Sequence, residues 1–175
     1  MINAAKELGR TVGYKPVVTP GVGIEAEDHI VSGHFVKLLD HAGETCVHHI
    51  AGTESAAEVD LLGIAADDTK RLDFNGLYAV IDNFCKYGKV AAFVCGGMFT
   101  VWDDSRGAVF ASGAESSSTG SVLNVAPGTP LYIDANGLLS TEVGAADTIG
   151  AIAVGSVIRA PKAADGTLFF KAKGL

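Results

Sequence analysis

Leu131-Tyr132-Ile133-Asp134-Ala135-Asn136-Gly137-Leu138-Leu139-Ser140-Thr141 is the stretch that decides the fold class. A short apolar run meets Asp-Ala-Asn-Gly and then returns as a second apolar run. Asn-Gly supplies the positive φ that a tight hairpin needs, so the stretch reads as two antiparallel strands and their turn. Working outward, Pro127-Gly128-Thr129 is a further turn, and Val122 to Val125 reads as a short strand before it. On the other side, Ile149 to Ile158 reads as a long strand. Gly166 then marks a turn into Thr167-Leu168-Phe169-Phe170-Lys171-Ala172.

The same grammar extends toward the N-terminus. Ile30 to Leu39 and Thr45 to Ile50 bracket Asp40-His41-Ala42-Gly43-Glu44, which reads as a hairpin with a longer turn. Leu61 to Ala66, Leu77 to Ile81, Lys89 to Val94 and Phe99 to Trp102 read as further strands. Two runs share one small-residue pattern: Leu61-Leu62-Gly63-Ile64-Ala65-Ala66 and Ile149-Gly150-Ala151-Ile152-Ala153-Val154-Gly155. Both read as β-like. No window of about 12 residues carries a helical period. The expectation is a mainly β chain, built as a compact barrel or sandwich.

Residues 1–28 read as an extended N-terminal arm. Pro16 and Pro20 cannot donate to a central ladder, and Gly13, Gly21 and Gly23 interrupt the β-branched residues between them. Residues 29–175 read as the β-rich core, divisible into subdomains at 29–120 and 121–175. Residues 103–120 are rich in polar and turn residues and read as an exposed loop ending in Ser116-Ser117-Ser118-Thr119-Gly120.

Composition narrows the function classes. Of 175 residues, 48% are hydrophobic, enough for a packed core, and only 19% are charged, against about 25% in average soluble domains. A chain this short of charge is expected to cover part of its surface in an assembly. The 22 glycines imply many turns between short strands. A formal charge of −7 repels phosphate backbones, so no nucleic-acid partner is expected. No apolar run reaches the ~18 residues of a membrane span, and the N-terminus has no signal-like apolar segment, so no membrane partner is expected. Cys46, Cys85 and Cys95 lack CxxC spacing and read as reduced, buried thiols.

The groups that could carry chemistry do not form a constellation. All five histidines, His29, His34, His41, His48 and His49, lie between residues 29 and 49, with Cys46 among them. On a strand, Cys46 and His48 share a face, and His34 could oppose them across the hairpin. Zinc needs three or four converging ligands, and no matching pair follows downstream. A nucleophilic Cys/His site is disfavoured because apolar strand surroundings raise thiol pKa values. Asp67-Asp68, Asp103-Asp104 and Glu25-Ala26-Glu27-Asp28 lie in turns, where carboxylates serve local backbone hydrogen bonds. Gly21-Val22-Gly23 lacks the third glycine and following helix of a dinucleotide loop, and Gly88-Lys89 lacks the upstream glycine of a phosphate loop. The sequence is read as carrying no catalytic residue, no metal site and no cofactor.

The order of strands and turns resembles that of the capsid cement, or head decoration, proteins of tailed bacteriophages. Leu62-Gly63-Ile64-Ala65-Ala66-Asp67-Asp68-Thr69 is similar to their "GIA-x-DDT" stretch. Val125-Ala126-Pro127-Gly128-Thr129-Pro130-Leu131-Tyr132-Ile133-Asp134-Ala135-Asn136-Gly137-Leu138-Leu139-Ser140 is similar to their "G-x-P-(L/V)-Y-(I/V)-D…G-x-(L/V)-(S/T)" segment. Ile149-Gly150-Ala151-Ile152-Ala153 resembles the "IG-x-(A/V)" strand, and Gly166 to Ala172 resembles the closing strand. The resemblance covers residues 60–175 and leaves out the His-rich hairpin.

The resemblance implies a non-enzymatic virion protein, made in the host cytoplasm and carried on the capsid exterior. Its partners would be the major capsid protein and further copies of itself, as a homotrimer that clamps neighbouring capsid subunits. An arm of this kind can add a strand to a neighbour's sheet edge, and repetition over the lattice gives avidity to weak contacts. On this reading Thr11, Val12, Tyr14, Val17, Val18, Val22 and Ile24 are the expected capsid-contact residues. The alternative is a tail- or fibre-associated module that binds a host ligand through Ser116 to Thr119. A third reading is a small metal-dependent enzyme built on His29 to His49.

Overall fold

The computed structural model describes residues 2–7, 11–16, 30–41, 44–57, 60–66, 70–72, 78–80, 90–93, 96–103, 108–111, 122–162 and 166–173. Strands dominate them, so the chain is mainly β as its sequence implies. In chain order they are β1 (Ile2–Glu7), β2 (Thr11–Pro16), β3 (Phe35–His41), β4 (Glu44–His49), β5 (Asp60–Ala65), β6 (Lys70–Leu72), β7 (Tyr78–Val80), β8 (Val90–Phe93), β9 (Gly97–Trp102), β10 (Pro130–Ile133), β11 (Leu139–Ser140), β12 (Gly155–Arg159) and β13 (Thr167–Ala172). They form a six-stranded sheet ordered β1-β9-β13-β12-β10-β11, a closed five-stranded ring β2-β4-β3-β5-β8, and a separate β6-β7 pair. Every pairing is antiparallel except β2 with β4.

Alternation along the strands builds the sheet's core. β9 buries Gly97, Phe99 and Val101, and β13 buries Leu168, Phe170 and Ala172. The register sets Phe99 opposite Phe170 and Val101 opposite Leu168, so these side chains share one face. The Phe99 and Phe170 rings pack tilted, with centroids 5.9 Å apart. Each such side chain contributes about 1.5–3 kcal/mol on full burial. Phe35 of β3 and Ile64 of β5 belong to this same cluster, so the ring packs its wall on the sheet. Their chain neighbours Val36 and Ala65 join Ile30 and Val47 in a second, smaller cluster. Adjacent strand residues point to opposite faces, which is why β3 and β5 are apolar on both.

The hairpin expected at residues 30–50 forms as β3 and β4, with Lys37 opposite His48 and Leu39 opposite Cys46. The one expected at 131–141 forms as β10 and β11. Residues 2–7 and 11–16 are extended and built into the fold. β1 pairs with β9 at one edge of the sheet, while β2 pairs with β8 and, at Lys15 and Pro16, with β4. Because β1 and β9 belong with β10 to β13, the six-stranded sheet crosses the 120/121 division.

Three local expectations are corrected. Val122 to Val125 is not a strand: Asn124 sits at φ 57, in the left-handed region that ends an extended run. The stretch 103–120 is not uniformly an exposed loop, since Val109 and Phe110 are buried. There Phe110 bridges Leu139, and the Leu139 N–H donates to Val109 O at 2.9 Å, covering the outer edge of β11. The long strand expected at Ile149 to Ile158 is a 3₁₀ turn, Ile149–Ala151, and only then β12.

Candidate docking cleft

Three chain segments meet where that 3₁₀ turn replaces a strand. The first is the tip of the β10-β11 hairpin. Asp134 Oδ1 accepts from the Asn136 and Leu138 N–H groups, both at 2.8 Å, and Gly137 takes φ 81. This is the turn chemistry the sequence implied, and it fixes the Asp134 carbonyl, which accepts from Gly52 N–H at 2.6 Å.

The second segment is residues 51–57. Glu54 Oε1 accepts from Ala51 N–H at 2.8 Å, and Oε2 pairs with Lys37 Nζ from β3. Burial pushes the Glu54 carboxyl up. The Ala51 N–H, the Lys37 ammonium and the neighbouring His48 together outweigh this and leave it below the ordinary glutamate range. Glu54 thus ties this segment to the ring while its own carbonyl accepts from Ile149 N–H at 2.8 Å.

The third segment is residues 140–150. Ser140 Oγ accepts from Glu142 N–H at 3.0 Å, Gly144 N–H donates to Gly150 O at 2.8 Å, and Thr148 Oγ1 donates to Ala145 O at 2.7 Å. Gly150 N–H donates to Gly52 O, and Ser55 bridges Thr148. The junction depends on glycine. A Cβ at Gly52 would lie 2.0 Å from Ile133 O, and one at Gly150 would lie 2.9 Å from both Gly52 O and Ile133 O.

Between these segments lies a cleft of about 440 Å³ whose wall is mostly apolar, with Ile133, Val143 and Ala145 among its lining and Asp134, Ser140 and Glu142 at its polar positions. That volume is within the usual range for ligand sites, roughly 300–1,000 Å³. Glu142 through Asp147 are all exposed, although hydrogen bonds hold the loop at both ends. Val143 is 57% exposed, and with Ile152 it makes up the exposed large hydrophobics of the described residues. An apolar residue presented beside a cleft on a loop held at both ends would cost little ordering on binding.

The two charged residues lining the cleft, Asp134 and Glu142, are both acidic. No Lys or Arg occurs from Gly107 to Ile158, whereas Asp134, Glu142 and Asp147 lie there. Arg159, Lys162, Lys171 and Lys173 follow on the C-terminal side. Sequence reasoning passed over this gap in basic residues, which was the one local signal marking the cleft as acidic.

The expected site residues fall elsewhere. Thr11, Val12 and Tyr14 lie on β2, with backbones paired to β8, while Val17, Val18, Val22 and Ile24 lie outside the described residues. The His29 side of the histidine cluster, the Ser116 to Thr119 loop, Asp67-Asp68, Asp104, Cys85 and Cys95 also lie outside them. The register does not bring His34 opposite Cys46 or His48: it precedes β3, and its Nε2 donates to Ala108 O at 2.7 Å. Among the described residues no three His, Cys, Asp or Glu side chains are grouped to hold a metal ion. Asp103 acts as a turn carboxylate, with Oδ1 accepting from Val109 N–H at 2.6 Å and Phe110 N–H at 3.3 Å. Among the described residues no helix is long and apolar enough to cross a membrane. No family model, curated protein or solved structure matches the chain.

Proposed function

We propose that this chain is a non-enzymatic structural protein of a phage virion, binding the capsid exterior and clamping neighbouring major capsid subunits as a homotrimer. Two things support the reading. The strand-and-turn order of residues 60–175 resembles that of capsid cement proteins. The observation that carries the docking role is the exposed loop Glu142 to Asp147, apolar at Val143 and held by hydrogen bonds beside a 440 Å³ cleft.

β2 spends its backbone bonds on β8 and β4, so the contact is assigned to this loop rather than to strand addition by residues 11–16. Modest contacts suffice when repeated across a lattice.

Quantitative mass spectrometry of purified particles, scaled to the major capsid protein, tests the proposal. A copy number in a simple ratio to the capsid subunit is the expected result. A handful of copies per particle would transfer the chain to the tail or fibre, and absence from particles would end the virion reading.

A further inference from the structure

We propose that the cleft between Gly52, Asp134 and Val143 recognises a cationic-apolar segment of a partner protein, in which one apolar side chain is flanked by Lys or Arg. The inference rests on the reading of this chain as a docking protein and names the chemistry of the partner at that site.

The cleft and its rim ask for different things. The wall around Ile133, Val143 and Ala145 takes an apolar side chain out of water, at about 25 cal/mol per Å² of surface removed. At the mouth, the exposed Glu142 is a carboxylate with no basic residue within the surrounding 107–158 stretch of sequence. Asp134 lines the same cleft, and Asp147 ends the loop. A segment bearing anions would meet repulsion here, and a purely apolar one would draw nothing from the exposed Glu142 carboxylate. A basic residue next to the apolar one satisfies both. The loop is already held by Ser140, Ala145 and Gly150, so the partner orders little of this chain on arrival. Steering by the rim speeds encounter and makes it sensitive to salt.

The test titrates the ¹⁵N-labelled full chain with the peptide Ac-Ala-Lys-Leu-Lys-Ala-NH2, followed by amide shifts. Saturable shifts at Thr53, Val143, Gly144 and Ala145, weakening with added salt, are expected. The acidic probe Ac-Ala-Glu-Leu-Glu-Ala-NH2 and the leucine-free probe Ac-Ala-Lys-Ala-Lys-Ala-NH2 should bind more weakly. Glu142→Lys should weaken the basic probe by about five- to tenfold, as expected for reversing one exposed charge. Val143→Ser should weaken it as well. Both positions are exposed, so circular dichroism should show the fold retained.

Equal binding of basic and acidic probes, shifts that map elsewhere, or indifference to Glu142→Lys would each overturn the proposal. So would concentration-dependent shifts at these residues in the protein alone, which would assign the cleft to a second copy. The particle measurement is independent of this one. Probe failure with lattice-ratio incorporation defeats only the partner chemistry, and probe success with absence from particles defeats only the capsid reading.

Discussion

Leu61–Ala66 and Ile149–Gly155 are built from nearly the same residues, yet the first is a strand and the second opens with a 3₁₀ turn. In the first, β5 pairs with β3 on one side and β8 on the other, and Gly63, Ile64 and Ala65 are buried. In the second, the chain closes a 3₁₀ turn and places Gly150 against the carbonyls of Gly52 and Ile133. The difference lies in what stands beside each run. The first has strands to either side that accept its backbone bonds. The second follows Thr148, whose hydroxyl and N–H both bond Ala145 O, and Asp147, which sits at φ 64. These bonds start a turn at Ile149, and the chain returns to a strand only at Gly155. Small apolar residues tolerate both outcomes, and context decides between them.

The largest expected effect comes from breaking the second run's junction. Gly52→Ala forces a Cβ to within 2.0 Å of a backbone oxygen, and backbone cannot yield as a side-chain end would. A loss of about 4 kcal/mol or more is expected, at the upper end for point changes, measured by denaturant unfolding. Gly150→Ala meets its neighbours at 2.9 Å and should cost less, about 1–3 kcal/mol. If both variants unfold like the parent chain, the close approach of the 51–57 and 149–151 segments is wrong.

Next come the two isoleucines that distinguish the runs. Ile64 is 1% exposed and sits in the shared core, so Ile64→Ala should cost about 2–5 kcal/mol. Ile152 occupies the matching small-residue context but is 39% exposed. Its replacement by Ala should change stability by about 0.5 kcal/mol or less. Thermal denaturation of the pair separates a strand residue from a surface residue of identical chemistry.

That pair also shows what the sequence could and could not convey. Alternation carries its own signature, so β9, β13 and the hairpins at 30–50 and 131–141 were legible from residues such as Phe99, Phe170 and the Asn136-Gly137 turn. A run of Gly, Ala and Ile has no period to distinguish a strand from a buried turn, and so Ile149–Gly155 was misread. Long-range pairing leaves no local mark: nothing in Lys15 or Pro16 announces a parallel partner at Cys46 and Val47. The cleft was invisible for the same reason, because Gly52 meets Ile133 and Gly150 only after folding. Its acidity was legible in the gap between Arg106 and Arg159, had charge been followed along the chain rather than summed.

A further small effect concerns the clamp that holds the second run in place, and it is best read through pH. Glu54→Gln keeps the side chain's size and removes its charge, so the pair with Lys37 is lost while a hydrogen bond to Ala51 N–H survives. Both partners retain some contact with water, with side-chain exposures of 16% and 26%. Screening therefore limits the loss to about 1 kcal/mol or below at neutral pH. The sign follows from the direction of the shift. Glu54 has a folded pKa below its ordinary value of 4.5, because the Ala51 N–H, Lys37 and His48 outweigh the opposing effect of burial. The folded state therefore releases this proton more readily than the unfolded chain, and the stabilisation is complete above pH 4.5. It fades as pH falls through the lowered folded value, where Glu54 takes up its proton and the clamp loses its charge. In urea titrations across this range, the parent chain should lose stability more steeply with acid than Glu54→Gln does, and the two should converge at the acid end. Parallel profiles would mean that Glu54 is not the charged anchor between ring and cleft. The second run would then owe its turn to Gly52, Gly150 and the Thr148 hydroxyl alone.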